Sequence, residues 1–404
     1  MGTKKKIAII GTVGLPANYG GFETLTAHLV DHLSDDYDLT VYCSGRTYSK
    51  KERHTNYKGA HLKYIPLKAN GIQSLLYDPL SIIHSLFYAD ILLILGVAGA
   101  WMLPFIKKFT NKKIIISIDG IEWKRDKWNF FAKCYLFWAE SMAVKYSHID
   151  ISDNESIQDY TAMRYGSLSR IIEYGADHTM QVKSNSKDKK EFPFLKKPYA
   201  FKVCRIEPEN NVHEVLEAFS VLSKYTMVIV GNWNYSDYGK SLKEKYGHQK
   251  NIFLLDPIYN QRKLDLLRGN ALIYIHGHSA GGTNPSLVEA MYLGLPIIAF
   301  GVSYNRTTTE NKALYFQDHV DLKILIENIK IIEFKEIGKR MKLIANRRYT
   351  WPFITKKYKE LVAEVLVIKY KTSVKPIATQ IEISKLLEME LGHLKHQQTF
   401  FEKR

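Results

Sequence analysis

The sequence predicts an α/β protein with two doubly wound, mostly parallel sheets facing a crevice. Three observations carry that expectation. Short apolar runs of strand length recur along the chain, each followed by a segment with helical features. The alternation breaks once, over residues 181–198, where Lys, Ser, Asn and Pro accumulate. Finally, 404 residues that are 46% hydrophobic and 24% charged make about two ordinary globular domains.

In chain order, the first strand is expected at 7–11, followed by a glycine-rich loop to Gly21 and a helix to about Leu33. Strands near 39–42, 62–65, 91–95, 114–118, 149–151 and 170–173 continue a first domain over residues 1–180. After the linker at 181–198, strands near 199–203, 227–230, 252–255, 272–275 and 297–300 form a second domain over 199–350. Residues 351–404 are expected as C-terminal helices and a basic tail. Ligands of such sheets bind in the crevice beyond the strand C-terminal ends.

The formal net charge of +16 calls for anionic partners. No zinc-finger spacing and no RNA-recognition aromatic motif occurs, so nucleic acid is not expected. Lysines cluster beside apolar segments, as at Lys107-Lys108 and Lys112-Lys113, which favours an anionic membrane surface. A solvated basic face is the competing reading. Lys4-Lys5-Lys6 precedes an apolar run too short for a signal peptide. Residues 86–106 invite a spanning helix, but Asp90 and several small residues divide the stretch into a strand and a helix. The expected place is the cytoplasm, peripheral on the inner face of the cell membrane. Cys43, Cys134 and Cys204 lack metal or disulfide spacing and are expected as free thiols.

The richest stretch runs from His276 to Gly294. An apolar strand leads into His278 and Gly281-Gly282-Thr283-Asn284, and a short helix carrying Glu289 follows. A Gly-Gly turn at a helix N-terminus directs backbone N–H groups and the helix dipole at one spot, which suits a phosphate. Glu289, one turn in, can accept hydrogen bonds from a sugar. This pattern predicts a nucleotide-sugar site. Arg205, at the end of the first strand of the second domain, can fork onto a diphosphate and stabilise leaving-group charge; a salt bridge to Glu207 or Glu209 competes.

In the first domain, the loop from Gly11 to Thr24 is not a dinucleotide fingerprint, because Gly-x-x-Gly replaces Gly-x-Gly-x-x-Gly. No acidic residue ends the second strand convincingly, so a nicotinamide dehydrogenase is disfavoured. Gly20, Gly21 and Glu23 are instead candidates for approaching a phosphate or sugar. Asp119 ends a strand and can orient or deprotonate an acceptor hydroxyl; Glu122 is the alternative, and helix capping competes for Asp119. Glu173 to His178 either shape the crevice floor or form a plain turn. Asp36-Tyr37-Asp38 lies in a polar turn away from strand C-terminal ends and reads as solvated charge. There is no metal-spaced His or Cys cluster, so no metal and no other cofactor is expected.

Together, Ala17–Thr24, Asp119–Arg125, Glu173–Asp177, Arg205–Asn211 and Gly281–Met291 resemble GT-B glycosyltransferases of family 4. The similarity spans about residues 5–365 and is greatest to a bacterial rhamnosyltransferase subgroup of capsule, exopolysaccharide and O-antigen assembly. It implies two Rossmann-like domains, with C-terminal helices returning to the first. It also implies a retaining transfer without bound metal, from a nucleotide sugar, dTDP-rhamnose in the subgroup. The acceptor it implies is a glycan on polyprenyl diphosphate.

The resemblance makes Glu289 the ribose-binding glutamate and Arg205 the diphosphate-binding arginine. Donor contacts are expected from Arg205, Asn210, His278, Gly281, Gly282, Thr283, Asn284 and Glu289. Acceptor contacts are expected from Gly20, Gly21, Glu23, Asp119 and Glu122, with Asp119, Arg205 and Glu289 as the catalytic set. Three positions depart from the family pattern: Gly281 stands for a glutamate, Asn210 for a lysine and Asp119 for a histidine.

Overall fold

The computed structural model describes residues 3–17, 20–118, 120–125, 128–222, 225–328 and 330–374. The chain forms two compact units. The first holds residues up to Glu173 together with the chain from Pro352 onward, and the second is Tyr174–Trp351.

The strands of the first unit are β1 (Lys6–Ile10), β2 (Asp38–Ser44), β3 (Asn56–Tyr57), β4 (Ala60–Ile65), β5 (Ile91–Leu95), β6 (Lys113–Ile118), β7 (Ile149–Ser152) and β8 (Arg170–Ile171). Their order is β3-β4-β2-β1-β5-β6-β7-β8, parallel throughout except for the β3–β4 pair. β1 and β5 are near-continuous apolar runs because helices cover both faces of such a sheet. The helices are α1 (Gly21–Leu33), α2 (Ser74–Leu86), α3 (Leu103–Phe109), α4 (Phe130–Tyr146) and α5 (Glu155–Tyr165). Tyr77 and Ile82 of α2, Ile106 of α3, Ala139 and Ala143 of α4 and Ile157 of α5 share one core with Ala8, Leu92, Ile94 and Ile116 of the sheet. Those four helices therefore cover one sheet face.

The second unit contains β9 (Tyr199–Val203), β10 (Thr226–Val230), β11 (Ile252–Leu255), β12 (Ile273–His276), β13 (Ile297–Phe300) and β14 (Leu314–Phe316). The order is β11-β10-β9-β12-β13-β14, all parallel. Its helices are α6 (Ser186–Glu191), α7 (Val212–Val221), α8 (Asp237–Tyr246), α9 (Gln261–Gly269), α10 (Pro285–Tyr292), α11 (Ser303–Thr308), α12 (His319–Asn328) and α13 (Ile331–Arg348).

The last helix, α14 (Trp351–Val367), returns the chain to the first unit. Lys357 pairs with the buried Glu173 at 2.6 Å, Glu364 with Arg170 at 2.5 Å, and Lys359 with Asp36 at 2.6 Å. Asp36, half of the Asp-x-Asp turn, is thus a partner for a lysine of α14.

Residues 181–198 differ from the linker expected of them. They lie within the second unit, α6 among them. Phe194 packs on Tyr199 and Phe253 with ring centroids 5.2 and 5.0 Å apart, and Asn270 donates to the Val182 carbonyl at 2.7 Å. Two aromatic rings inside a polar stretch supply enough apolar area to fold it back. Residues 86–106 divide into β5 and α3, and among the described residues no helix is long and apolar enough to cross a membrane.

Candidate functional site

In the second sheet the strand order reverses between β9 and β12, and that reversal is where α/β sheets bind ligands at the strand C-terminal ends. The loops leaving those two ends, 204–211 and 277–284, are laced together. Ser279 donates to the Glu209 carbonyl from both N–H (2.8 Å) and Oγ (3.0 Å), and Asn211 donates to the Gly277 carbonyl (2.9 Å). Asn210 donates to the Arg205 carbonyl (2.9 Å), which turns its Oδ1 towards His278 Nδ1 at 3.0 Å. A Cβ at Gly277 would stand 2.3 Å from the Asn210 carbonyl oxygen and 2.8 Å from Lys202 Nζ, so this close approach requires glycine.

Of the donor contacts expected from sequence, several side chains serve this platform itself. Asn210 and His278 are buried against each other. Thr283 is buried, and its hydroxyl meets Thr308 at 3.4 Å. Asn284 caps α10, accepting from the Ser286 N–H (3.0 Å) and hydroxyl (2.7 Å), while the Leu287 N–H bonds the Asn284 carbonyl. The first turn of α10 therefore spends its donors internally, contrary to the expectation of N–H groups aimed outward from the helix. Pro285 removes one more. A phosphate here would be met by the Gly281 and Gly282 turn. Arg205 keeps an available cation: its side chain is 41% exposed and its Nε lies 3.6 Å from Glu207, a weak pairing at that exposure.

Glu289 is the centre of a second network. Its Oε2 pairs with Arg268 Nη2 at 2.5 Å, and Arg268 is itself fully buried at the end of α9. Its Oε1 faces His178 Nε2 at 3.1 Å. The Trp351 indole N–H donates to His178 Nδ1 at 3.1 Å, so the ring carries its proton on Nε2 and donates to Glu289. Asp177 accepts from the Trp351 backbone N–H at 2.6 Å and fixes the indole. Burial pushes the Glu289 carboxyl up, but Arg268 and His178 outweigh it and hold the group below the usual carboxylate range. Each oxygen retains a lone pair for a ligand hydroxyl. The turn from Glu173 to His178 thus contributes a named contact, whereas Arg268 and Trp351 carried no local sequence signal.

Lys202 was also missed, although it interrupts an apolar strand. Burial pushes its ammonium below the usual lysine range. His276, one strand over, is likewise pushed down by burial and by Lys202, and its Nε2 meets no hydrogen-bond partner among the described residues.

In the first unit the strand order reverses between β1 and β5, where the loop after β1 emerges. Glu23 does not face outward as an acceptor ligand. Its Oε1 accepts from the Val13 N–H (2.7 Å) and the Thr12 hydroxyl (3.2 Å), and the residue is 7% exposed. Its other oxygen lies where a Cβ on Gly20 would fall, 1.9 Å away, and Gly20 adopts φ +127°, so glycine is required there. Gly20 and Gly21 remain half-exposed. Glu122 is also engaged locally, accepting from the Trp128 indole at 3.0 Å and pairing with Arg125 at 2.9 Å. Asp119 lies outside the described residues. Among the described residues no group of three His, Cys, Asp or Glu side chains could hold a metal ion.

No curated protein matches the chain in sequence. Solved structures do match its fold. Sucrose-phosphate synthase from Thermosynechococcus elongatus superposes with a TM-score of 0.76 at 14% identity, over 90% of this chain and 99% of that one. A glycosyltransferase from Rickettsia africae gives 0.67 at 15% identity, over 90% and 99%. HepE of Anabaena, solved with UDP-glucose, gives 0.69 at 14% identity, over 89% and 99%. Likeness at such identities establishes the fold, the GT-B pairing of two Rossmann-like units. By sequence, residues 4–177 match a domain of unknown function (DUF1972), and residues 183–348 match glycosyl transferases group 1. The chain therefore has the GT-B fold, and within it residues 183–348 are similar to glycosyl transferases group 1.

Proposed function

We propose that the chain is a retaining hexosyltransferase that moves L-rhamnose from dTDP-rhamnose onto a polyprenyl-diphosphate-linked glycan in surface polysaccharide synthesis. It would work in the cytoplasm, at the inner face of the membrane. The observation that carries the transferase reading is the ionised, oriented Glu289 carboxylate, clamped by Arg268 and His178 on the helix that follows the Gly281-Gly282 turn. In this reading Glu289 accepts from the nucleotide ribose, and Arg205 and the 281–284 turn take the diphosphate. As the sugar–phosphate bond breaks, negative charge grows on the leaving oxygen. Arg205 stabilises that charge, and the same phosphate oxygen receives the acceptor proton during front-face attack. The donor sugar and the acceptor rest on the family resemblance.

The test measures binding and hydrolysis of dTDP-rhamnose, UDP-glucose, UDP-galactose, UDP-N-acetylglucosamine and GDP-mannose. Selective dTDP-rhamnose binding, lost in Glu289→Ala, is the expected result. Arg205→Ala is expected to lower turnover about 100-fold with little change in stability, the scale of one lost oxyanion donor; a loss within threefold would remove Arg205 from the mechanism. A second reading, a UDP-hexose donor, is favoured by the fold likeness to HepE bound to UDP-glucose. Preference for that donor would keep the reaction and replace the sugar. Turnover of donor without any acceptor would instead indicate an epimerase.

A further inference from the structure

β9 is an interior strand of the second sheet, with β10 on one side and β12 on the other, and such a strand is expected to be apolar throughout. Lys202 breaks that rule: the residue is 1% exposed. Among the described residues its ammonium makes no hydrogen bond and no ion pair. A buried cation is ordinarily paired, because an apolar interior returns none of the hydration the charge gives up. The same unit shows the ordinary case. Arg268 is equally buried, and it has Asp265 at 3.6 Å and Glu289 at 2.5 Å. No carboxylate of the described residues pairs with Lys202.

The ammonium lies where the two site loops meet. Phe201 stands opposite Tyr274, so Lys202 stands opposite Ile275. Its Nζ nevertheless ends 2.8 Å from where a Cβ on Gly277 would stand, two residues further along the chain. The side chain therefore leans towards the strand C-terminal ends, where the 204–211 and 277–284 loops leave the sheet. Gly277 keeps that place open, since any larger residue would displace the ammonium or the Asn210 carbonyl. His276, the residue before the gap, is 3% exposed, and its Nε2 has no partner among the described residues. Burial, Lys202 and His278 push its ring below the usual histidine range, so it adds no second positive charge. Two unpartnered polar groups thus flank one glycine at the strand reversal, and a buried charge without a partner in such a place marks a ligand contact.

We propose that Lys202 is a donor-binding residue whose ammonium pairs with a diphosphate oxygen beneath the Gly277 turn, as a second cation beside Arg205. The inference rests on the nucleotide-sugar reading of this site and adds a residue to it. The two cations differ in kind, since the Arg205 side chain is 41% exposed and Lys202 is buried. Salt screens a pair made by the first far more than a pair made by the second. The ligand-free fold bears the cost of an unpaired ammonium, and a bound anion removes it. Deleting the charge therefore moves stability and binding in opposite directions, which a lysine serving the fold would not do.

The experiment compares the unmodified full chain with Lys202→Met, by calorimetric binding of inorganic pyrophosphate, dTDP and UDP and by melting without ligand. Lys202→Met is expected to weaken whichever of the three binds by about tenfold or more. Its ligand-free melting temperature is expected to equal or exceed that of the unmodified chain, because methionine fills the strand without a charge. Lys250→Met, at an exposed position, should leave both quantities unchanged. Pyrophosphate carries neither base nor sugar. Pyrophosphate binding that depends on Lys202, in a chain that binds no nucleotide sugar, would retire the transferase reading and leave the Lys202 contact standing. Nucleoside diphosphate affinity in Lys202→Met within twofold of the unmodified chain would do the reverse and overturn the proposal. So would a lowered melting temperature in Lys202→Met, which would make the ammonium part of the fold, or binding of none of the three probes.

Discussion

The two units place a glutamate near the start of the helix that follows a glycine-bearing loop at the strand reversal, and they use it in opposite ways. Glu23, on α1, turns back into its own loop, where the Val13 N–H and the Thr12 hydroxyl satisfy it. Glu289, on α10, is held by side chains from elsewhere in its unit, Arg268 at 2.5 Å and His178 at 3.1 Å. The first carboxylate closes a loop. The second is kept ionised in a buried place by a cation that the helix itself does not carry. The lesson is that a carboxylate oriented by tertiary partners keeps lone pairs over, whereas one consumed by a nearby N–H is spent on its own loop.

Arg268→Ala is the harshest way to break this comparison. It strands the Glu289 carboxylate without its cation, with an expected cost of about 3–5 kcal/mol in urea unfolding and loss of donor binding. Replacing both partners, Arg268→Met with Glu289→Leu, should recover much of the stability and none of the donor binding. A cost for Arg268→Ala within about 0.5 kcal/mol, the range of ordinary surface changes, would show that the pair is not the support it is taken to be.

Glu23→Ala should cost less, about 1–3 kcal/mol, by leaving the Val13 N–H unpaired. Donor affinity should stay at the level of the unmodified protein. A large loss of activity at unchanged stability would return Glu23 to the list of substrate contacts.

Asp78 supplies the smallest and sharpest contrast, a buried carboxyl on α2 whose Oδ1 meets no hydrogen-bond partner among the described residues. Burial alone pushes its pKa up to about 8. An unfolded aspartate ionises near 3.9, so between about pH 4 and pH 8 the folded chain holds a proton that the unfolded chain has released. The stability associated with Asp78 is fully present below about pH 4 and is lost as pH rises to about 8. Asp78→Asn should raise the melting temperature at pH 7.5 by a few degrees, roughly 1–2 kcal/mol, and flatten that part of the pH profile. For Glu289 the sign is reversed: its folded pKa is lowered, so its stabilisation is present above the unfolded value and fades as pH falls. An unchanged profile in Asp78→Asn would show that the Asp78 carboxyl ionises normally inside the fold.

Much of the architecture was legible. Apolar runs such as Ile7–Ile10 and Ile91–Leu95 announce strands because parallel strands are covered on both faces and tolerate little else. The places of the Gly281–Asn284 turn, between β12 and α10, and of Arg205, just after β9, were legible for the same reason: the geometry at a strand end is written in adjacent residues. The 181–198 segment was misread because its lysines and prolines outnumber the two phenylalanines that fold it onto the second unit. Residues 86–106 read as a strand and a helix, and only the exposure of Phe105 and Phe109 reveals that this helix turns apolar side chains outward.

The sequence by itself determined the alternating strands and helices, the glycine turns and the cationic residue at the end of β9, all consequences of short-range sterics and periodicity. Tertiary structure alone decided which carboxylate is held by side chains distant in sequence and which by its own loop. Arg268 and His178 reach Glu289 across distances in sequence that no local pattern encodes, whereas Val13 reaches Glu23 through its own loop. Burial strengthens whichever partner arrives, and only the folded chain selects that partner.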